Sequence, residues 1–374
     1  MTTDTVRSAL ATAGRAMGGA RLDALDQLKG SHRSVVVRAT VDGGPRTVVV
    51  KAYVSTEATD DLEGWAREAA ALSVLRGRRA PVPVLLADVN DPLLVVTEDL
   101  GGGPSVADAV LGSDPNVAAD RVMAWARALA AVHGSTIGTG PAFAAALNER
   151  APMAGFPVDN MAGELAQAAR TLQKQLPELG VVPERAALAD LVLAAHMLAG
   201  TAVALTPSDP CPDNNIATDN GLVLIDFEWA AVRPVVWDIA YLDVPWPTCW
   251  CSWRIPEEVA AAALTTWRTA VAPAFPAVAT SDFDDGLALA SVAWALLTTG
   301  WFLEHALAEE PRPDGFSPSS RARILHRLGR AVGYRGAVPP RLTDLAEATL
   351  TAAGRRWGDL PLDLAPAFRP AAPD

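Results

Sequence analysis

Two aspartates and an asparagine in fixed order constrain this chain more than any other feature. Asp209 and Asn214 stand five residues apart in the polar stretch Thr206-Pro-Ser-Asp-Pro-Cys-Pro-Asp-Asn-Asn-Ile216, and the next apolar run, Leu222-Val-Leu-Ile-Asp226, reads as a strand ending on a second aspartate. That spacing suits phosphoryl transfer, in which one aspartate takes or orients the attacking hydroxyl proton while an asparagine and a second aspartate hold magnesium. Oxygen donors are required because magnesium is a hard cation with near-octahedral oxygen coordination. Asp, Asn and Pro also gather in ordinary turns, so the weight of the pattern rests on what precedes it.

Upstream, Arg46-Thr-Val-Val-Val-Lys-Ala-Tyr-Val54 reads as a buried strand of β-branched residues carrying a single lysine, Lys51. A buried ammonium needs a partner, and Glu68, in the helical segment Asp60 to Leu75, is the candidate. Between Leu28 and Arg38, small and polar residues separate two apolar runs, as in a loop whose backbone N–H groups cover phosphates. Gly30, Ser31 and Arg33 are its nucleotide-loop candidates, with a plain hairpin turn the equal alternative. No P-loop pattern occurs. The strand Pro92-Leu-Leu-Val-Val-Thr-Glu-Asp-Leu then runs into Gly101-Gly-Gly103, a break that suits a hinge.

In this order the motifs resemble the aminoglycoside phosphotransferase and choline kinase family, whose signature reads His-Gly-Asp-x-x-x-x-Asn followed by Ile-Asp-Phe/Trp-Glu. Asp209, Asn214, Asp226, Phe227 and Glu228 match it; Pro207 and Ser208 replace His and Gly, and Cys211 and Asp213 stand where many relatives carry His and Gly. The resemblance implies an α+β, two-lobed protein-kinase-like fold, with a small antiparallel nucleotide lobe over residues 1–100 and a larger, mainly helical lobe over 101–374. It implies a kinase that uses ATP and Mg²⁺ to phosphorylate a small-molecule hydroxyl acceptor. Asp209 would be the catalytic aspartate, Asn214 and Asp226 the metal ligands, and Lys51 and Glu68 the pair that aims the lysine at the phosphates. Glu98, Asp99 and Leu100 would meet adenine through main-chain atoms, and Asp238, in Val235-Val-Trp-Asp-Ile-Ala-Tyr241, would brace the catalytic loop.

The net charge of −12 argues against nucleic acid, whose binding depends on Lys and Arg, and is compatible with a cationic acceptor drawn to an acidic cleft. An acid excess is equally ordinary surface solubility. Three cysteines make no even disulfide framework, and Cys249-Trp-Cys251 lacks the spacing and number for a structural zinc site. No signal peptide is evident, so the expected location is cytoplasmic. The longest apolar stretch, Ala186 to Leu205, reads as a buried helix and strand rather than a membrane span.

Substrate candidates follow the signature. Asp243, Trp246 and Trp250 lie in a tryptophan-rich run just beyond it, Glu228 ends it, and Glu304 closes an aromatic segment from Trp294. Indole faces beside a carboxylate can hold an ammonium, although such runs are more often core. An aminoglycoside or amino sugar is the expected acceptor, with choline, homoserine or a neutral sugar as alternatives, and a nucleotide-binding pseudokinase as the reading from another class. Residues 139–161 and 309–320 read as loops, His133 as a satisfied core histidine, and Arg321, Arg323, Arg327 and Arg330 as a solvated basic face.

Overall fold

A computed structural model of the chain describes residues 3–28, 34–54, 58–308 and 317–370. The nucleotide-loop candidates Gly30, Ser31 and Arg33 lie outside the described residues.

The smaller lobe is a five-stranded antiparallel sheet in the order β1-β2-β3-β5-β4, built from β1 (Leu22–Gln27), β2 (Ser34–Val41), β3 (Thr47–Tyr53), β4 (Leu85–Asn90) and β5 (Leu93–Glu98). Strand alternation splits its faces. Val35, Val37, Val48 and Val50 pack with Leu10 and Ala13 of the helix α1 (Thr3–Ala16). The opposite set, which includes Val36, Arg38, Val49 and Lys51, therefore faces the larger lobe. The β2–β3 connection turns at Asp42 (φ 53°) and Gly43 (φ 67°), a left-handed pair closed by the Gly44 N–H donating to the Val41 carbonyl at 3.0 Å.

Helix α2 (Ala58–Leu75) packs on the Lys51 face of the sheet and is tied to the larger lobe as well. Arg67, almost fully buried, donates to the carbonyls of Ala230 and Pro157, each at 2.9 Å, while Glu63 pairs with the same guanidinium at 2.6 Å. Glu68 is the next residue, so this anchor fixes its position.

The larger lobe is helical. In order come α3 (Val106–Val110), α4 (Pro115–Ser135), α5 (Gly140–Arg150), α6 (Met161–Gln175), α7 (Arg185–Leu198), α8 (Val236–Ile239), α9 (Glu257–Val271), α10 (Ser281–Leu307), α11 (Ser320–Gly333) and α12 (Pro340–Trp357). Two short antiparallel pairs interrupt them: β6 (Val203–Thr206) with β9 (Ala231–Pro234), and β7 (Asn215–Thr218) with β8 (Gly221–Leu224). Helix α10 is long and apolar enough to cross a membrane, but 89% of its most apolar stretch is buried in the protein, where it forms the centre of the helical core.

Several expectations change. Residues 140–150 are helical rather than loop, because Phe143 and Leu147, four apart, both bury against the core. Strand β8 ends at Leu224, so Asp226 lies beyond the strand at φ 65°, not at its end. The basic face of α11 is partly internal: Arg327 is 1% exposed, donates to the Pro245 carbonyl, and lies with Arg323 over the Phe302 ring.

The segment leaving β5 passes so close to the β7–β8 hairpin that a Cβ on Gly103 would sit 1.8 Å from the Ala217 carbonyl oxygen. Only glycine fits. Gly103→Ala is expected to cost about 1–3 kcal/mol through forced backbone displacement. A urea midpoint equal to that of the parent would show that this approach does not hold.

Candidate active site

Between the lobes lies a cleft of about 670 Å³ into which Lys51, Glu68, Asp209, Asn214, Asp226 and Glu228 all project. The ammonium of Lys51 meets three carboxylates: Asp226 at 2.6 Å, Glu68 at 2.9 Å and Glu228 at 2.9 Å. Burial disfavours its charge, but these anions more than offset that and hold its pKa well above the ordinary lysine value. Glu68 also accepts from the Tyr53 hydroxyl at 2.5 Å. Burial raises the Glu68 carboxyl against the pull of Lys51.

Asp209 sits at the floor. Its Oδ1 accepts from the Thr248 hydroxyl at 2.5 Å, with the Tyr241 hydroxyl 3.4 Å away, and Asn214 donates its amide N–H to the Asp209 carbonyl at 2.9 Å. Burial lifts the Asp209 carboxyl to about 6, against the Thr248 bond that lowers it. A carboxylate of this kind is poised to take a proton near neutrality. Two backbone positions here have positive φ, Ser208 (61°) and Asp226 (65°). At Ser208 that explains why the resembling family favours glycine, since a left-handed backbone costs an L-residue roughly 1–2 kcal/mol; here the Ser208 and Thr206 hydroxyls bond at 3.0 Å.

Cys249 lies beside this floor. Burial opposes its ionisation, but S–H donation from Cys211 and Cys251 prevails and brings the thiol down to about 6.

Other candidates fall elsewhere or act differently. The Glu98 backbone N–H is already engaged by the Val84 carbonyl, and its Oε1 accepts from the Val84 N–H. Asp99 makes a bidentate pair with Arg38, at 2.7 and 3.1 Å, fastening the hinge to β2. Leu100 lines the cleft with Val36, Val49 and Ile225, an apolar pair of walls for a flat base. Glu228 lines the cleft with its Oε2 on Lys51 at 2.9 Å. Asp243 is outside the cleft because Arg330 holds it, and Trp246 is fully buried edge-on to Trp125. Glu304 is exposed on α10, away from the cleft. Trp250 does line the cleft, and its indole N–H donates to Asp213 at 2.7 Å.

Asp238 is fully buried, but it bonds His133 Nε2 of α4 at 3.1 Å, not the 206–214 loop. With proline at position 207, that loop offers no imidazole for it to hold. His133 also takes a bond from the Trp267 indole at 3.3 Å, so it is a satisfied core histidine. The support of Asp209 falls instead to Tyr241 and Thr248, which sequence reasoning missed. Tyr241 lay three residues past Asp238, whereas Thr248 carried no pattern of its own.

A β sheet over a helical lobe, with a lysine–glutamate pair facing an Asp–Asn–Asp set, defines a small-molecule kinase acting on a hydroxyl acceptor. The model of the phosphotransferase enzyme family matches residues 27–278, and the chain belongs to that family. Among solved structures it is similar to a choline/ethanolamine kinase family protein from Mesorhizobium loti, at 18% identity and TM-score 0.51, over 94% of this chain and 100% of that one. It is also similar to Cryptosporidium parvum choline kinase (11%, TM-score 0.53, 90% and 98% covered) and Plasmodium vivax ethanolamine kinase (12%, 0.52, 85% and 84%). These likenesses concern the fold. No curated protein matches the sequence.

Proposed function

We propose that this protein moves the γ-phosphoryl group of ATP to a hydroxyl of a small cationic acceptor, an aminoglycoside or amino sugar in the first place and an amino alcohol such as choline in the second. The observation that carries this reading is the convergence of Lys51, Asn214, Asp226 and Asp209, from three separate segments, on one cleft. Val36, Val49, Leu100 and Ile225 enclose the base, and the Leu100 backbone N–H, which has no partner among the described residues, is its main-chain donor. Lys51 binds the phosphates.

Asn214 and Asp226 fit a hard cation. The Asn214 amide nitrogen is spent on the Asp209 carbonyl, which leaves its oxygen as a ligand. Asp226, with its side chain 37% exposed, keeps Oδ2 for the cleft while Oδ1 meets Lys51. Magnesium there would neutralise charge on the phosphates. Asp209, oriented by Thr248 and Tyr241, receives the acceptor's hydroxyl proton. Asp213 and the half-exposed faces of Trp229 and Trp250 offer an ammonium a carboxylate and aromatic surface. The amino-alcohol alternative gains support from the choline and ethanolamine kinases that share the fold.

ADP release from MgATP against a panel of aminoglycosides, amino sugars, neutral sugars, choline, ethanolamine and homoserine tests the reading. Stimulation by cationic acceptors is expected. Stimulation by neutral sugars alone would overturn the cationic assignment, and tight nucleotide binding with no turnover on any acceptor would favour a pseudokinase.

A further inference from the structure

The sequence leaves Cys249-Trp-Cys251 short of ligands, but the fold supplies what is missing by laying the catalytic loop against it. One ligand atom each from Cys211, Asp213 and Cys249 lies within 4.8 Å of the other two. We propose that these three residues form a binding site for a thiophilic divalent cation, Zn²⁺ by preference, at the acceptor end of the cleft.

The donor set selects the metal. Two sulfurs and one carboxylate oxygen suit zinc, whereas magnesium prefers oxygen alone. Zinc bonds of about 2.3 Å to sulfur and 2.0–2.2 Å to oxygen place tetrahedral ligand atoms roughly 3.5–3.8 Å apart. Cys249 Sγ and Asp213 Oδ1 are already 3.7 Å apart. Trp250 Nε1–H holds Asp213 Oδ2 at 2.7 Å, fixing the carboxylate with Oδ1 toward the thiol, the kind of outer contact that orients a metal ligand. All three residues line the cleft, so a cation has a way in, and three protein ligands leave a fourth position for water.

Charge is compensated from behind. Two thiolates and a carboxylate exceed a dication by one negative charge, and a buried net charge needs a partner. Arg327 is 1% exposed, its Nε and Nη1 have no hydrogen-bond partner among the described residues, and it interacts electrostatically with Cys249 and Cys211. Cys251 lies outside the ligand set; its Sγ is 2.9 Å from that of Cys249.

The site is one hydroxyl away from the reaction centre. Thr248 Oγ1 is 3.1 Å from Cys211 Sγ and 2.5 Å from Asp209 Oδ1. A bound cation competes with a cationic acceptor for Asp213 and pins the 209–214 loop to the 246–251 segment. Inhibition of turnover by Zn²⁺ rests on the phosphotransfer reading; metal binding does not, so the test reads binding.

The full chain, reduced with a phosphine and freed of metal, is titrated with Co²⁺. The expected result is one equivalent bound with thiolate-to-cobalt charge-transfer absorption that Zn²⁺ abolishes. Cys211→Ser and Cys249→Ser lose the bands, while Cys251→Ser and Asp226→Asn keep them. Trp250→Phe, which leaves the thiols in place should a buried serine prevent folding, weakens affinity about 10- to 100-fold. The proposal is overturned by absence of the bands in the reduced parent, by their survival in Cys211→Ser, or by their loss in Asp226→Asn. A free-thiol count of one before the phosphine is added would overturn it too, assigning Cys249 and Cys251 to a disulfide. A protein without kinase activity that shows the bands would retain this site while the phosphotransfer reading fell.

Discussion

Asp209→Asn lowers kcat by about a thousandfold, within the range for loss of a positioned proton acceptor, and leaves nucleotide affinity within about twofold of the parent. The amide keeps an oxygen for the Thr248 hydroxyl but cannot take the acceptor's proton. Single-turnover rates beside equilibrium nucleotide binding separate the two effects; an unchanged rate removes Asp209 from the chemistry. The same change alters stability in the opposite direction. Asp209 ionises at about 6 when folded, against an ordinary 3.8, so the folded state binds its proton more tightly than the unfolded chain. The stability this contributes is complete below pH 3.8 and is lost as pH rises through 6. At pH 8 the ligand-free Asp209→Asn protein is therefore more stable than the parent by up to about 3 kcal/mol, and the gap closes below pH 4. Denaturant midpoints at the two pH values check the sign, and a variant less stable at pH 8 contradicts the burial argument.

Lys51→Met abolishes turnover and destabilises the protein by about 3–5 kcal/mol, because removing one partner strands buried charge. Glu68 and Glu228 lose the ammonium they share with Asp226. Lys51 has a raised folded pKa, so its contribution is complete below the ordinary value of 10.5 and is lost only as pH climbs above it. In the variant burial raises the Glu68 carboxyl unopposed, so the melting difference from the parent should narrow as pH falls. The double variant Lys51→Met/Glu68→Gln should recover part of the loss, since a neutral amide no longer needs a cation. Equal stability of Lys51→Met and the parent would show that the three carboxylates do not depend on the lysine.

The Lys51 strand, the α2 helix with Glu68, and the order Asp209, Asn214, Asp226 were legible because each combines a local pattern with an unusual residue: a charge among valines, or acids after a turn. The valine alternation also carried its own facing, since strand period alone sends Lys51 to one side and Val50 to the other. What stayed hidden depends on contacts remote in sequence. Asp99 looked like a hinge residue offering its backbone, yet its side chain answers Arg38, sixty-one positions away. Trp246 and Trp250 are indistinguishable in a tryptophan-rich run; one packs edge-on to Trp125 and the other reaches Asp213. Asp243 and the arginines of α11 looked like separate surface charges because the sequence cannot show that Arg330 meets Asp243. The apolar walls of the cleft escaped notice for a simpler reason: valine and isoleucine signal a core whether the space beside them is filled or open.

The anchorage of Arg67 bears on how the cleft can open. With its guanidinium fastened to the Ala230 and Pro157 carbonyls, α2 belongs mechanically to the larger lobe although the chain places it between two strands of the smaller one. The sheet rests on that helix through the buried Trp65 indole, which donates to the Leu94 carbonyl at 3.0 Å. Lys51 belongs to the sheet while Glu68, Asp226 and Glu228 lie on the side that Arg67 holds, so its three contacts of 2.6–2.9 Å work together as a latch that swinging the sheet outward must release. Opening the cleft and breaking all three ion pairs become a single motion.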